Sequence, residues 1–221
     1  MSTQVRVTLD REMHGVEDNL LRLGSLVDSA ISRALQALAQ RDTDLARQII
    51  ADDQQTNAMR FQIEEACFTA IATQQPTARD LRALVAAMNI VSDLERMADH
   101  ATGIAEIVLR MGDEPLLKPL IDLPRMVDEC RDMLRLALDA YVRRDADLAR
   151  TVAARDDVID GLYKQIFREL LSFMLEDPRT TTRALYLLFS AHNVERIGDH
   201  ITNIAERVIF MASGEMKELN I

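Results

Sequence analysis

The chain has 221 residues, of which 48% are hydrophobic and 28% are charged, and its formal net charge at pH 7 is −10. This apolar content supports a sizeable core and excludes an intrinsically disordered chain. The acidic balance argues against a nucleic acid as the main partner, because binding to a phosphate backbone needs a positive surface. Seven glycines, five prolines and no strand-like alternation of β-branched residues predict an all-α fold.

Three amphipathic segments fill the first half of the chain. Apolar residues from Leu20 to Leu38 recur at helical spacing and predict the first helix. The polar corner RDTD at 41–44 restarts the chain in a second helix, and Pro76 ends that helix because proline disfavours a helical residue before it. The predicted bounds are about 9–40, 44–73 and 77–111.

A proline-rich stretch then divides the chain. Three of the five prolines fall at positions 115, 119 and 124, so residues 113–121 are the predicted linker. The apolar pattern returns 103 positions later, with Leu38 matched by Tyr141, and the corner RDTDLAR at 41–47 returns as RDADLAR at 144–150. The second half therefore predicts helices over about 122–143, 145–176 and 178–213.

This duplication predicts the architecture. Six long helices form two tandem three-helix bundles, the first over residues 1–112 and the second over 122–221, with a pseudo-twofold relation between them. A repeat period near 100 residues is too long for a solenoid of small units. The bundles can lie end to end or side by side.

One fifteen-residue stretch is written twice. Residues 94–108 read LERMADHATGIAEIV and residues 194–208 read VERIGDHITNIAERV, with nine identities at a separation of 100. Helical spacing places the acids of each copy on one face. These acids are Glu95, Asp99 and Glu106 in the first copy and Glu195, Asp199 and Glu206 in the second. Because carboxylates at i and i+4 repel by about 0.2–0.5 kcal/mol, a repeated acidic stripe predicts a bound cation.

The second helix of each half offers further oxygen ligands. Asp53 and Asn57 lie one turn apart, and their counterparts 103 positions later are Asp156 and Asp160. Hard divalent or ferric ions prefer several carboxylate oxygens, so each half is a candidate metal site, with iron, zinc, manganese and magnesium not distinguished. Asn57 removes one charge and predicts a weaker first site. The alternative is a solvated acidic face that forms ion pairs with neighbouring arginines.

His100 and His200 follow the stripe acids directly in sequence. Each is about 100° around the helix from the preceding aspartate, so neither side chain projects with the stripe. We expect these histidines to pack between helices or to support a ligand rather than to bind metal themselves. His14 and His192 have no counterpart in the other half and are interpreted as incidental.

Further features indicate a cellular compartment. The first residues, MSTQVRVTLD, lack the pattern of a signal peptide, and no apolar run reaches the roughly 18 residues of a transmembrane helix. Cys67 and Cys130 lie in apolar-periodic segments without a C-x-x-C motif, which favours buried free thiols in a reducing environment. We therefore expect a cytoplasmic protein without direct membrane insertion.

The flanks of the duplicated motif make it specific. Each half carries ExxxD followed by His and an IAE triplet, at Glu95 to His100 and at Glu195 to His200, and QQPTARDLR at 74–82 precedes the first copy. In these motifs, and over nearly its entire length, the chain resembles the PhoU family of phosphate-uptake regulators. The resemblance implies a six-helix, two-bundle protein whose ExxxD motifs bind metal clusters. Asn57 departs from the aspartate usual in that family.

The resemblance also implies a role in the cell. It suggests a cytoplasmic negative regulator that represses the phosphate-starvation response and links the ATPase of a phosphate ABC transporter to a two-component sensor histidine kinase. Elongated bundles with apolar stripes also favour a homodimer. Two alternatives stay open, a metal-free helical adaptor and a metalloenzyme in a bundle. The enzyme is disfavoured, with no catalytic residue assigned, because the chain lacks Glu-x-x-His and any phosphate loop.

Overall fold

The computed structural model describes residues 3–214, which form seven α-helices and one short 3₁₀ helix without a strand. The predicted all-α fold is confirmed. The helices are α1 (Thr3–Gln40), α2 (Thr43–Gln74), α3 (Ala78–Met111), α4 (Asp122–Arg143), α5 (Ala146–Ala153), α6 (Asp156–Glu176), the 3₁₀ helix Pro178–Thr180 and α7 (Thr181–Ser213). Residues 1–2 and 215–221, which the predicted bundles included, lie outside the described residues.

The two polar corners have the same local structure. Asp42 accepts hydrogen bonds from the amides of the second and third residues after it, at 3.0 and 2.9 Å, and Asp145 does the same at 3.0 Å for both. The residues before them, Arg41 and Arg144, are left-handed at φ 56° and 55°. An aspartate that satisfies free first-turn amides explains why the RD pair restarts a helix in each half.

One predicted helix is interrupted. The segment predicted as continuous over 145–176 breaks at Ala154 and Arg155, where the Arg155 amide bonds to the carbonyl of Val152, three residues back, at 3.0 Å. Arg155 also pairs with Glu129 of α4 at 2.6 Å, which holds the break against the neighbouring helix. The break makes Asp156 the first residue of α6, whereas its counterpart Asp53 lies inside the unbroken α2.

The two bundles lie side by side. α3 packs against α7 in an antiparallel pair, α1 meets α4, and the buried apolar residues of both halves form one continuous core. Leu94 and Met97 of α3 and Ile197 and Ile201 of α7 are all fully buried. The end-to-end arrangement is therefore wrong. None of the helices within residues 3–214 combines the length and apolar character needed to cross a lipid bilayer.

Candidate functional site

The first acidic cluster lies between α2 and α3. Asp53 of α2 accepts a hydrogen bond from Asn57 at 2.8 Å through one oxygen, while its other oxygen, Oδ1, is buried without a hydrogen bond. Burial raises the pKa of Asp53, and the nearby Glu95 carboxylate raises it further. Burial likewise raises the pKa of Asp99, and Asp53 adds to that rise. These three predicted acids thus face one another and repel.

Arg60 supplies a cation to this first cluster. Its Nη1 lies 3.1 Å from Glu95 Oε1 on α3, and its Nε lies 3.0 Å from Glu64 Oε1 on α2. The guanidinium therefore bridges the two helices. Only 26% of the Arg60 side chain and 15% of the Glu95 side chain are exposed, so solvent screens this pair less than a surface ion pair.

The second acidic cluster lies between α6 and α7. Asp156 is 7% exposed and lies against Gly198, where an added Cβ would come 2.9 Å from Asp156 Oδ1. Burial raises the pKa of Glu195 first, and the carboxylates of Asp199 and Asp160 raise it further. Four of the five predicted acids of the second half, Asp156, Asp160, Glu195 and Asp199, therefore lie in one region between α6 and α7.

The cations of the second cluster are local. Lys164 pairs with Asp160 at 2.9 Å and Arg196 pairs with Asp199 at 2.7 Å, each within one turn of the same helix. The lysine and arginine side chains are 67% and 46% exposed. Such exposed pairs contribute about 0–1 kcal/mol and give way readily to a stronger cation. Among the described residues, no arginine bridges α6 and α7, because Tyr163 occupies the position that corresponds to Arg60.

His192 lies beside Glu195. Its Nδ1 is 3.1 Å from Glu195 Oε2, and that oxygen is buried and makes no hydrogen bond. The ring also lies 6.1 Å from the ring of Tyr163. His192, interpreted as incidental from the sequence, is therefore part of the second cluster, and this assignment was wrong.

The remaining stripe acids have other surroundings. Glu106 is exposed and pairs with Arg110 at 3.2 Å, one turn further along α3. Glu206 is half-buried on α7. Neither contributes to the raised pKa of the acids in the two clusters.

The repeated histidines lie in the seam between α3 and α7. His200 Nδ1 donates to Asp93 at 3.0 Å, and His100 Nδ1 donates to the Asn193 side-chain oxygen at 2.9 Å. The two imidazole rings stack with centroids 5.6 Å apart. Both histidines therefore pack between α3 and α7, as expected, and their contacts connect the two halves.

Three residues of this arrangement were missed from the sequence. Asp93 and Asn193 are separated by 100 residues. Asp93 lies seven residues before His100 and Asn193 seven before His200, so each lies on the same helical face as the histidine that follows it. This repeat was a usable signal. Arg60 offered none, because nothing in the α2 sequence indicates that its guanidinium reaches Glu95 on α3.

The donor set suits a hard metal ion, although the side chains are not arranged as ligands. Within residues 3–214, no three acidic, histidine or cysteine side chains converge closely enough to hold a metal. The chemistry nevertheless fits, because mutually repelling carboxylates, a buried Asp53 oxygen without a hydrogen bond and a buried Glu195 oxygen all favour a cation.

The fold and its clusters define a class of protein. It is a side-by-side pair of three-helix bundles that presents one acidic cluster in each half. A family model described as PhoU domain matches residues 20–108 and 123–208, so both halves are covered. The chain belongs to the PhoU domain family.

Relatives and solved structures agree with this assignment. A phosphate-specific transport system accessory protein PhoU homolog from Pseudomonas putida is 40% identical over 206 residues, which are 92% of this chain and 80% of the relative. The crystal structure of PhoU from Pseudomonas aeruginosa is 37% identical with a TM-score of 0.89 and covers 93% of this chain and 99% of that chain. The phosphate transport system regulatory protein PhoU from Streptococcus pneumoniae, 34% identical, has the same TM-score and covers 96% and 100%.

Proposed function

We propose that this protein is a metal-dependent accessory regulator of a phosphate-specific transport system. The role is supported by the accessory and regulatory names of its relatives and by their coverage of almost the whole chain. The observation that supports the metal is the pair of clusters in which burial and neighbouring acids raise the pKa of Asp53, Asp99 and Glu195. A cation is the simplest relief for such repulsion.

The second half is the stronger metal site. Glu195 and Asp199 on α7, with Asp156 and Asp160 on α6, offer four carboxylates, and their present cations are exposed and local. A bound hard metal supplies positive charge that neutralises these acids. Held from both helices, it ties α6 to α7 and stabilises the surface that they form together.

The first half binds metal less well. Asn57 carries no charge and donates to Asp53, and Arg60 already neutralises Glu95 from across the helix pair. A metal there must displace a half-buried guanidinium, which then has to find another carboxylate. The weaker first site expected from Asn57 thus has a second cause in Arg60.

The partners of this regulator are proteins. We place it in the cytoplasm as a non-enzymatic homodimer that links the transporter ATPase to a sensor histidine kinase and represses the phosphate-starvation response. Several large apolar side chains are exposed along α2 and α6, which suits protein contacts. These are Phe61, Phe68, Phe167, Leu171 and Leu175.

Metal analysis tests the site. Protein purified without chelator is analysed for bound iron, zinc and manganese, and its thermal unfolding is measured with and without chelator. We expect bound metal and a chelator-sensitive melting temperature in the wild type, both lost in Glu195→Ala/Asp199→Ala. Glu106→Ala, which removes a surface acid outside the cluster, is the matched control and should behave as wild type. An absence of metal from wild-type protein would overturn the metal proposal.

Regulation is tested in cells. Deletion of the gene should derepress phosphate-starvation genes at high phosphate, and the wild-type chain should restore repression. Co-purification from phosphate-replete cells should recover the transporter ATPase and the kinase. Unchanged starvation-gene expression in the deletion strain would contradict the regulatory role, whatever the metal content.

One observation favours a metal-free adaptor as the second candidate. Within the described residues, intramolecular cations already contact Glu95, Asp160 and Asp199. If the adaptor is correct, Glu195→Ala/Asp199→Ala should restore repression as well as wild type does.

A further inference from the structure

A polar cavity lies away from both acidic clusters, where the two halves meet. It has a volume of about 230 Å³ and is bounded by the beginnings of α1 and α3 and by the ends of α4 and α7. Its charged lining comprises Arg6, Asp10, Glu17, Arg79, Asp80 and Arg144. Residues from all four helices contribute, so the cavity exists only in the assembled two-bundle fold.

Tyr141 is the unusual residue of this cavity. It is only 6% exposed, it lines the cavity, and its hydroxyl makes no hydrogen bond with any residue in the described part of the chain. The hydroxyl is not itself sealed in the core, because it faces the cavity, where it can donate a hydrogen bond to a bound molecule. The counterpart in the first half is Leu38, which is fully buried, so packing at this position does not need a hydroxyl. An oxygen-bearing ligand would satisfy it.

The cavity charges divide into a satisfied and a free set. Arg6 forms ion pairs with two carboxylates, with its Nη1 2.6 Å from Asp80 Oδ2 and its Nε 3.0 Å from Asp10 Oδ1. The side chains of Arg79, Arg144 and Glu17 form no ion pair with any residue in the 3–214 range. The free set therefore consists of two guanidinium groups and one carboxylate.

Two more features favour an anion here. The 34-residue helix α3 begins at the cavity, where its N-cap Thr77 donates to the first-turn carboxylate of Asp80 at 3.3 Å and makes no side-chain hydrogen bond to the first-turn amides, so Asp80 shares the positive end of the helix with any bound anion. Burial raises the pKa of Tyr141, with Glu17 adding to the rise and Arg144 opposing it. The phenol therefore stays protonated at neutral pH and acts as a donor.

Glu17 restricts the identity of the anion. A carboxylate repels a fully deprotonated oxyanion but accepts a hydrogen bond from one that keeps a proton. Inorganic phosphate carries at least one P–OH at neutral pH, whereas sulfate carries none. A phosphate monoester has its second pKa near 6 and is mostly a dianion without P–OH at neutral pH.

We propose that this cavity binds inorganic phosphate, with Arg79, Arg144 and Tyr141 donating to its oxygens and Glu17 accepting from its P–OH. The site is separate from the metal clusters and does not depend on them. Because it spans α1, α3, α4 and α7, phosphate in it stabilises the contact between the two bundles.

Titration calorimetry on the full chain in chelator tests the proposal, since chelator removes any metal that would itself bind phosphate. We expect saturable binding of one inorganic phosphate per chain, with sulfate and glycerol phosphate binding at least about tenfold more weakly. Tyr141→Phe and Arg144→Gln should each weaken phosphate binding roughly tenfold or more, the usual effect of losing a hydrogen bond to a charged group. Glu17→Gln should reduce the preference for phosphate over sulfate.

Arg143→Gln is the matched control, because Arg143 pairs with Asp139 at 2.8 Å and does not line the cavity. It should bind phosphate as wild type does. Circular dichroism verifies the fold of each variant. If Tyr141→Phe fails to fold, Arg144→Gln, at a half-buried position, tests the proposal in its place. Absence of phosphate binding, equal binding of sulfate, or wild-type affinity in Tyr141→Phe and Arg144→Gln would each overturn the proposal. None of these outcomes bears on the metal content of the protein.

Discussion

The ionised carboxylate of Glu195, between α6 and α7, destabilises the folded state. Burial, followed by the negative charge of Asp199, raises its pKa above the ordinary 4.5, so the folded protein binds a proton that the unfolded chain releases. Folding is therefore penalised above the raised pKa, and the penalty disappears as pH falls towards 4.5. The same sign applies to Asp53 and Asp99.

Replacing this carboxylate by its neutral isostere removes the penalty. In chelator near pH 7, Glu195→Gln should unfold at a higher urea concentration than wild type, and the difference should shrink as pH is lowered towards about 4.5. Urea unfolding followed by circular dichroism across this range is the measurement. Glu106→Gln, at an exposed acid paired with Arg110, is the control and should show no such gain. A Glu195→Gln variant less stable than wild type near pH 7 would contradict the assigned cost.

At the scale of helices, the two halves have the same acids in different electrostatic settings. Arg60 of α2 reaches across to Glu95 of α3, whereas α6 has Tyr163 at the corresponding position. Burial raises the pKa of Tyr163, and the negative charge of Glu195 raises it further. The break between α5 and α6 also places Asp156 in the first turn of a helix, where a carboxylate is favoured. If the proposed metal binds, these differences favour the second half over the first.

Arg60→Tyr copies the second-half residue into the first half. In a Glu195→Ala/Asp199→Ala background, this change should raise bound metal from near zero towards one equivalent per chain, because it frees Glu95 and restores repulsion with Asp53. Metal content after dialysis against manganese is the measurement. Arg47→Tyr, at an exposed arginine on the same helix, is the control and should bind none. Equal metal content in the two variants would show that Arg60 does not occupy the site.

Periodic and local features were the predictable part of this structure. Helical spacing predicted α1 to α4 closely, and the RD corners were predicted because a capping aspartate acts within three residues. The stripe acids were found because both copies carry them. The contact of Arg60 and the break before Asp156 were not predictable. Both depend on which side chain of a neighbouring helix lies opposite, and the periodicity of one helix does not tell how its neighbour is rotated about its axis.

At the scale of the whole molecule, the α3–α7 seam unites what the sequence presents as two domains. Asp93 of the first half is 8% exposed and accepts from His200 at 3.0 Å and from Asn203 at 3.2 Å, both of the second half. The contact of His100 with Asn193 is the counterpart of the contact of His200 with Asp93, with the two halves interchanged, as a pseudo-twofold relation requires. Neither bundle covers its third helix alone, because α3 and α7 cover each other.

This shared seam predicts that both halves unfold together. Wild-type protein should show one transition by calorimetry, with the calorimetric and van't Hoff enthalpies equal. Asp93→Ala should lower stability by about 1–3 kcal/mol, because it leaves the buried donor of His200 and the half-buried donor of Asn203 without their acceptor, while the transition stays single. Asp132→Ala, at an exposed acid paired with Arg135, should change stability by less than about 1 kcal/mol. Two separate transitions in wild type, with only one of them shifted by Asp93→Ala, would mean that each bundle is stable without the seam.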